Sequence, residues 1–250
     1  MPAWERFPNA PITEALLDIR VRLPETISLS NLESLQEEIR GRYPGKKPRA
    51  SSTIRLEMKE NASEPEITKT KGGIDGFFLT SSDQKQIVQA RMDGFTFSRL
   101  KPYDRWETFR DEAKEIWGYY IRYATPAEVT RIALRYINRI EIPLPMRDFK
   151  EFVITIPEIA PGLPQGLSEF FMRLVIPEPK RNAMVIINQT MMAPVESDSK
   201  LPLIFDIDVF HVGSFSVHAG DYWGQFEELR DLKNEVFFKS MTTKAKELFL

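Results

Sequence analysis

Asp206-Ile207-Asp208 sets two aspartates one residue apart, a spacing that puts both carboxylates on one face of a strand and offers oxygen ligands to a hard divalent cation. Any half-solvated strand shows the same spacing, so Asp206 and Asp208 are a candidate small-ligand or metal-dependent site without being a metal centre by themselves. The only histidines, His211 and His218, lie seven positions apart and fall on opposite faces of a continuous strand; by parity His211 also points away from the aspartates. They read as unrelated groups. The absence of cysteine excludes disulfides, thiolate metal sites and cysteine nucleophiles, and two histidines leave little for general acid–base work. Gly72-Gly73 leads into Ile74-Asp75-Gly76 without the Lys-Ser/Thr of a phosphate loop and reads as part of a linker. Met191-Met192 and the many phenylalanines read as packing residues. No cofactor and no metal follow, and the leading expectation is a protein without enzymatic activity.

A second set of residues is suited to recognition. Within the alternating segment Thr13 to Leu23, Glu14, Asp18, Arg20 and Arg22 share the polar face; within Thr130 to Ile142, Arg131, Arg135, Arg139 and Glu141 do the same. Arginines spaced in this way could touch phosphates, which makes nucleic acid an alternative partner. Two observations disfavour it. The chain carries 34 Lys and Arg against 36 Asp and Glu, so it lacks a domain-wide basic excess, and the acids interleaved with the arginines would repel a polyanion. At an offset of 121 positions the charges oppose: Glu14 with Arg135, Asp18 with Arg139, Arg20 with Glu141. If the two segments pair, these are expected as cross-strand neighbours.

The elements that must carry these residues follow from periodicity. Thr13 to Leu23 is a strand with one apolar face, and Ser30-Asn31-Leu32-Glu33 reads as a capping box ahead of Leu32, Leu35 and Ile39 at helical spacing. Thr53 to Met58 reads as a strand, Lys59 to Gly73 as an exposed loop, and Phe77 to Thr80, Gln86 to Met92 and Phe95 to Leu100 as a meander turning at Ser81-Ser82-Asp83 and Asp93-Gly94. Asp104-Arg105-Trp106-Glu107 opens a helix whose stripe is Phe109, Ala113, Ile116, Trp117, Tyr120 and Ile121. The second half adds a short helical stretch near Asp148 to Phe152 and strands at Glu169 to Ile176, Ala183 to Met191 and Leu203 to Val212, with one more at Ser214 to His218. A helix from Trp223 to Met241 closes it; Pro161 to Gly166 and Pro194 to Pro202 are loops.

The second half reads as a worn copy of the first. Arg139 to Pro145 follows Asp18 to Pro24 by 121 positions with apolar residues and final proline in phase, and Trp106-x-x-Phe109 precedes Trp223-x-x-Phe226 by 117. The expected fold is therefore α+β: internally duplicated β-α-β4-α units, residues 1–128 and 129–250, joined in one pseudo-symmetric domain with a curved antiparallel sheet like that of the TATA-binding protein and helices on one face. That plan leaves the opposite face open, with the charged residues named above upon it.

Pro11-Ile12-Thr13-Glu14-Ala15-Leu16-Leu17-Asp18-Ile19-Arg20, Leu134 to Pro143 and Leu232 to Thr242 resemble the signatures of a sporadically distributed, uncharacterised bacterial protein family of about 250 residues, with a PIxEAxxxIR N-terminal motif and an RYINRIEIP central motif. The resemblance supplies no catalytic residues; it implies an association with mobile or defence-associated genes. The sequence shows no membrane-spanning run, and Met1 to Arg6 lacks a signal peptide's apolar core, so a cytoplasmic location without membrane contact is expected. The leading expectation is an interaction or regulatory protein that binds a protein partner or a second copy of itself.

Overall fold

The computed structural model describes residues 4–57, 66–191, 199–217, 220 and 222–250. Alternation builds the first strand, β1 (Ile12–Arg22): Ala15, Leu17 and Ile19 are fully buried, while Leu16, Asp18 and Arg20 lie half-buried on the other face. The strand that leads the second half, β6 (Glu128–Pro143), obeys the same rule, with Ile132, Leu134, Tyr136, Asn138 and Ile140 inward and Arg135 and Arg139 outward. These two strands pair antiparallel within a single nine-stranded sheet. Beyond β1 lie β5 (Gly94–Leu100), β4 (Gln86–Arg91), β3 (Glu66–Thr80) and β2 (Gly45–Glu57). Beyond β6 lie β9 (Lys200–Phe215), β8 (Ala183–Met191) and β7 (Phe170–Glu178). Every pairing is antiparallel, and β2 and β7 form the two edges of an open sheet.

Four helices pack their apolar stripes on the inward face: α1 (Leu29–Ile39), α2 (Trp106–Ala124), α3 (Tyr222–Ser240) and the short α4 (Thr243–Glu247). Leu32 and Leu35 of α1, Ile116, Trp117 and Tyr120 of α2, and Phe226 and Leu229 of α3 join the strand residues in one core. Each such side chain, fully buried, contributes about 1.5–3 kcal/mol. Two indole bonds tie α2 to the first turns of α3: Trp106 Nε1 donates to Glu227 Oε1 at 2.8 Å, and Trp117 Nε1 donates to the Tyr222 hydroxyl at 2.7 Å. Among the described residues, no helix is long and apolar enough to cross a membrane.

The α+β class, the antiparallel sheet and most of the expected elements are present, with several differences. The segment expected as a loop over Lys59 to Gly73 contributes Glu66 onward to β3, and β2 begins at Gly45 instead of Thr53. The two strands pair from Gly45 with Thr80 to Glu57 with Glu66, whereas β4 reaches only Gly76 to Thr80 of β3. The outer part of this ribbon therefore extends past β4. Gly72-Gly73 lies inside β3 at a register shift and is no linker. The capping box is formed by Ser28, whose backbone N–H donates to Asn31 Oδ1 at 3.0 Å, and not by Ser30, which is already helical. In the second half, Asp148 to Phe152 forms a 3-10 turn over Phe149–Glu151. β9 runs through Gly213 to Phe215 as one strand, because a bulge opposite Val129 and Arg131 absorbs the glycine; no separate strand starts at Ser214. Among the described residues the second half thus has three strands after β6, not four. His218 and Met192 lie outside the described residues.

Candidate functional site

The open face carries a connected ionic network centred on β1 and β6. Asp18 Oδ2 accepts from Arg91 Nη2 at 2.8 Å and from the Thr96 hydroxyl at 2.7 Å, while its Oδ1 accepts from Arg20 Nε and Arg131 Nη1, each at 3.1 Å. Arg131 then reaches across β6 to Asp208 at 3.0 Å, with its guanidinium 4.3 Å above the Phe210 ring. Arg135 grips Asp206 with two parallel bonds of 2.8 Å, and Asn188 donates to the same carboxylate at 2.9 Å. Asp93 closes the chain on Arg20 and Arg91, and Arg49 pairs with Asp75. Seven of these charged groups, with Leu16 and Thr96 among their neighbours, line a shallow concavity of about 460 Å³.

Burial and the neighbouring arginines act in opposite directions on Asp18 and Asp208. Burial would raise the Asp18 carboxyl, but Arg91 and Arg20 beside it, with the bonds from Arg91 and Thr96, hold it below the ordinary aspartate value. At Asp208 burial prevails over the attraction of Arg131 and Arg135, and the negative charges of Asp18 and Asp206 add to it, so its carboxyl is raised.

The residues singled out from the sequence do meet on this face, but with other partners. β1 and β6 pair with Leu16 opposite Arg135, Asp18 opposite Ala133 and Arg20 opposite Arg131. The expected pairs Glu14–Arg135, Asp18–Arg139 and Arg20–Glu141 are therefore not direct neighbours. Residues equivalent under a twofold axis stand opposite one another only at the axis, and each step away separates them by two. Arg22 instead pairs with Glu128 at 2.8 Å, and Arg139 with Glu141 of its own strand at 2.5 Å. Glu14 makes no ion pair among the described residues. Asp206 and Asp208 do share a face, and both are bonded to arginines. Among the described residues no three His, Asp or Glu gather as a metal cluster. His211 lies on the buried side, where Nδ1 is 3.1 Å from the Asn182 carbonyl oxygen.

The flank of the open face is apolar. The register β9–β8–β7 aligns Asp208 with Ile186 and Val175, and Asp206 with Asn188 and Arg173, which places Phe171 and Val175 on this side of the sheet. Phe171 is 68% exposed and Val175 55%, on a strand with one free edge.

On the helix side, between α3, the head of α2 and the N-terminal segment, lies a cavity of about 160 Å³. Tyr136 and Asn138 of β6, Ile12 of β1 and Lys233 of α3 contribute to its wall, so Pro11 to Arg20, Leu134 to Pro143 and Leu232 to Thr242 converge here. Sequence reading passed over Lys233. The signal was available: the position falls in the stripe Phe226, Leu229, Lys233, Phe237, where an apolar residue is due. The sequence matches no family model and no curated protein.

Proposed function

We propose that this chain is a non-catalytic interaction protein of a bacterial system, in keeping with the mobile or defence-associated genes that the resemblance implies, and that it docks a protein partner on the β7 side of its open sheet face. The observation that carries this reading is the division of that face. Arg20, Arg22, Arg131, Arg135 and Arg139 each have a carboxylate partner, while Phe171 and Val175 stand exposed beside them on an edge strand. A polyanion would meet little net positive potential at the centre. A partner would find apolar side chains and unpaired backbone groups at the flank. The opposite edge differs: β2 starts Gly45-Lys46-Lys47-Pro48-Arg49, the charges and proline that discourage strand addition.

We also infer that the two halves arose by duplication of a unit like that of the TATA-binding protein. Supporting this, Ala15 and Tyr136, 121 positions apart, stand directly opposite one another where β1 and β6 cross. The orders β2-β3-β4-β5-β1 and β6-β9-β8-β7 are reversed copies if the second half has lost the counterpart of β2, and α2 and α3 each span 19 residues. The missing strand leaves β7 uncovered.

The test pairs two titrations. Fluorescence anisotropy with duplex and single-stranded DNA and RNA at physiological salt should give no saturable binding. Salt-sensitive micromolar binding that disappears in the Arg131→Gln, Arg135→Gln, Arg139→Gln triple variant would instead install the nucleic-acid reading. Phe171→Lys with Val175→Lys should abolish the association with the protein partner, and Lys46→Ala with Lys47→Ala on the other edge should leave it intact.

A further inference from the structure

The amine of Lys233 is buried without a counter-charge. Its Nζ lies 3.8 Å above the Tyr136 ring centre and bonds to Asn234 Oδ1 at 2.5 Å. Among the described residues no carboxylate comes within ion-pairing distance of it. An ammonium has three protons to donate, and a buried charge is normally paired. Arg230, one turn earlier on α3, is only loosely held, at 3.5 Å from Glu227 and 3.9 Å from Glu107. Both cations border the 160 Å³ cavity. Its other walls are aromatic, with Trp4, Tyr103, Trp106 and Phe237 among them, while Glu5, Arg6, Asp104 and Arg105 bring two charges of each sign to the lining. Those rim charges cancel and Arg230 has Glu227 and Glu107 beside it, so the uncompensated charge at the cavity is that of Lys233.

We propose that this cavity binds a small aromatic carboxylate, with the aromatic walls holding its ring and Lys233 supplying the counter-charge to its carboxylate. Size sets the class: a cavity near 150 Å³ accepts a benzene ring, and one carboxyl group directed at the amine completes the molecule. Charge sets the sign: a neutral ligand leaves the amine unpaired, and a cation adds a third positive charge beside Lys233 and Arg230. Burial, reinforced by Arg230, brings the Lys233 amine down to about 7, so an arriving anion draws a proton onto it. This site is separate from the open face, and its test is independent of the docking reading.

The probes are benzoate and phenylacetate, with benzamide and benzylamine as neutral and cationic counterparts, followed by quenching of tryptophan fluorescence and by calorimetry. The expected result is saturable binding of at least one of the two anions at pH 6, at least tenfold weaker binding of benzamide and benzylamine, and loss of at least tenfold in affinity in Lys233→Met. Calorimetry of the unmodified protein at pH 7 in two buffers of different ionisation heat should show net proton uptake on binding, a readout that needs no variant to fold. Failure of both anions to saturate below about 10 mM, equal binding of the neutral counterpart, unchanged affinity in Lys233→Met, or binding without proton uptake would each overturn the assignment.

Discussion

Asp18 is the residue on which the open face depends most, because its carboxylate accepts from four donors on four strands and is the buried partner of Arg91. Asp18→Asn keeps the shape and removes the charge, leaving a guanidinium that is only 3% exposed with Asp93 as its remaining carboxylate. Breaking a buried pair from one side costs about 3–5 kcal/mol, and urea denaturation should show a loss of that order. The acid limb of the stability profile carries the same signature. Since the folded value of Asp18 lies below its unfolded one, its contribution is complete above ~4 and is lost as the pH falls through the lowered value, so the difference between the two proteins should shrink at low pH. Lys233 behaves oppositely. The unfolded chain keeps that proton up to ~10.4, whereas the folded chain releases it near about 7. Between these limits the unfolded state binds more protons and stability rises with pH. Lys233→Met should therefore be more stable than the parent at pH 6, by on the order of 2–4 kcal/mol, with a gap that closes toward pH 10.

The β4–β5 hairpin turns at Met92-Asp93, and Gly94 is required at the head of β5: its φ is +152°, and a Cβ would lie 2.3 Å from the carbonyl oxygen of Ile19 on the neighbouring strand. Gly94→Ala should cost about 2–4 kcal/mol in denaturant unfolding. Gly118, exposed within α2 with open space around it, gives the contrast: Gly118→Ala should stabilise by about 0.5–1 kcal/mol. Elements that face the core were legible in the sequence. Alternation located β1, β6, β8 and the inner part of β3, and helical spacing located α2 and α3. The ribbon of β2 and β3 was legible only in part: Thr53 to Glu57 read as a strand, but Gly45 to Ser52 and Glu66 to Gly73, rich in lysine, glycine and serine or threonine, carry no apolar alternation to mark them. Helix starts slipped for a local reason: Ser28 and Ser30 both precede Asn31 closely, and only backbone geometry decides which of them caps α1. On the candidate site, parity placed Asp18, Arg131 and Arg135 on the open face and Asp206 with Asp208 on one face of their own strand, but did not join the two sets. The actual partners were hidden because each arginine reaches diagonally past the residue opposite it, and register is not written in either strand alone.

Across the whole molecule, the two sheet edges are unlike. The β2 edge begins with lysines, a proline and an arginine, whereas β7 is Phe170-Phe171-Met172-Arg173-Leu174-Val175-Ile176-Pro177-Glu178, a nine-residue edge with three strongly exposed apolar side chains. If a partner completes the sheet on the side where the second half is one strand short, that edge is covered during function. A photo-crosslinking residue in place of Val175 tests this most directly, with the same residue in place of Lys46 as the control, irradiated in the cells that naturally contain the protein. The account predicts a discrete protein adduct from position 175, mapped to one site on one partner, and none from position 46. Adducts to nucleic acid at position 175, or equal yields of diffuse products from both edges, would contradict it.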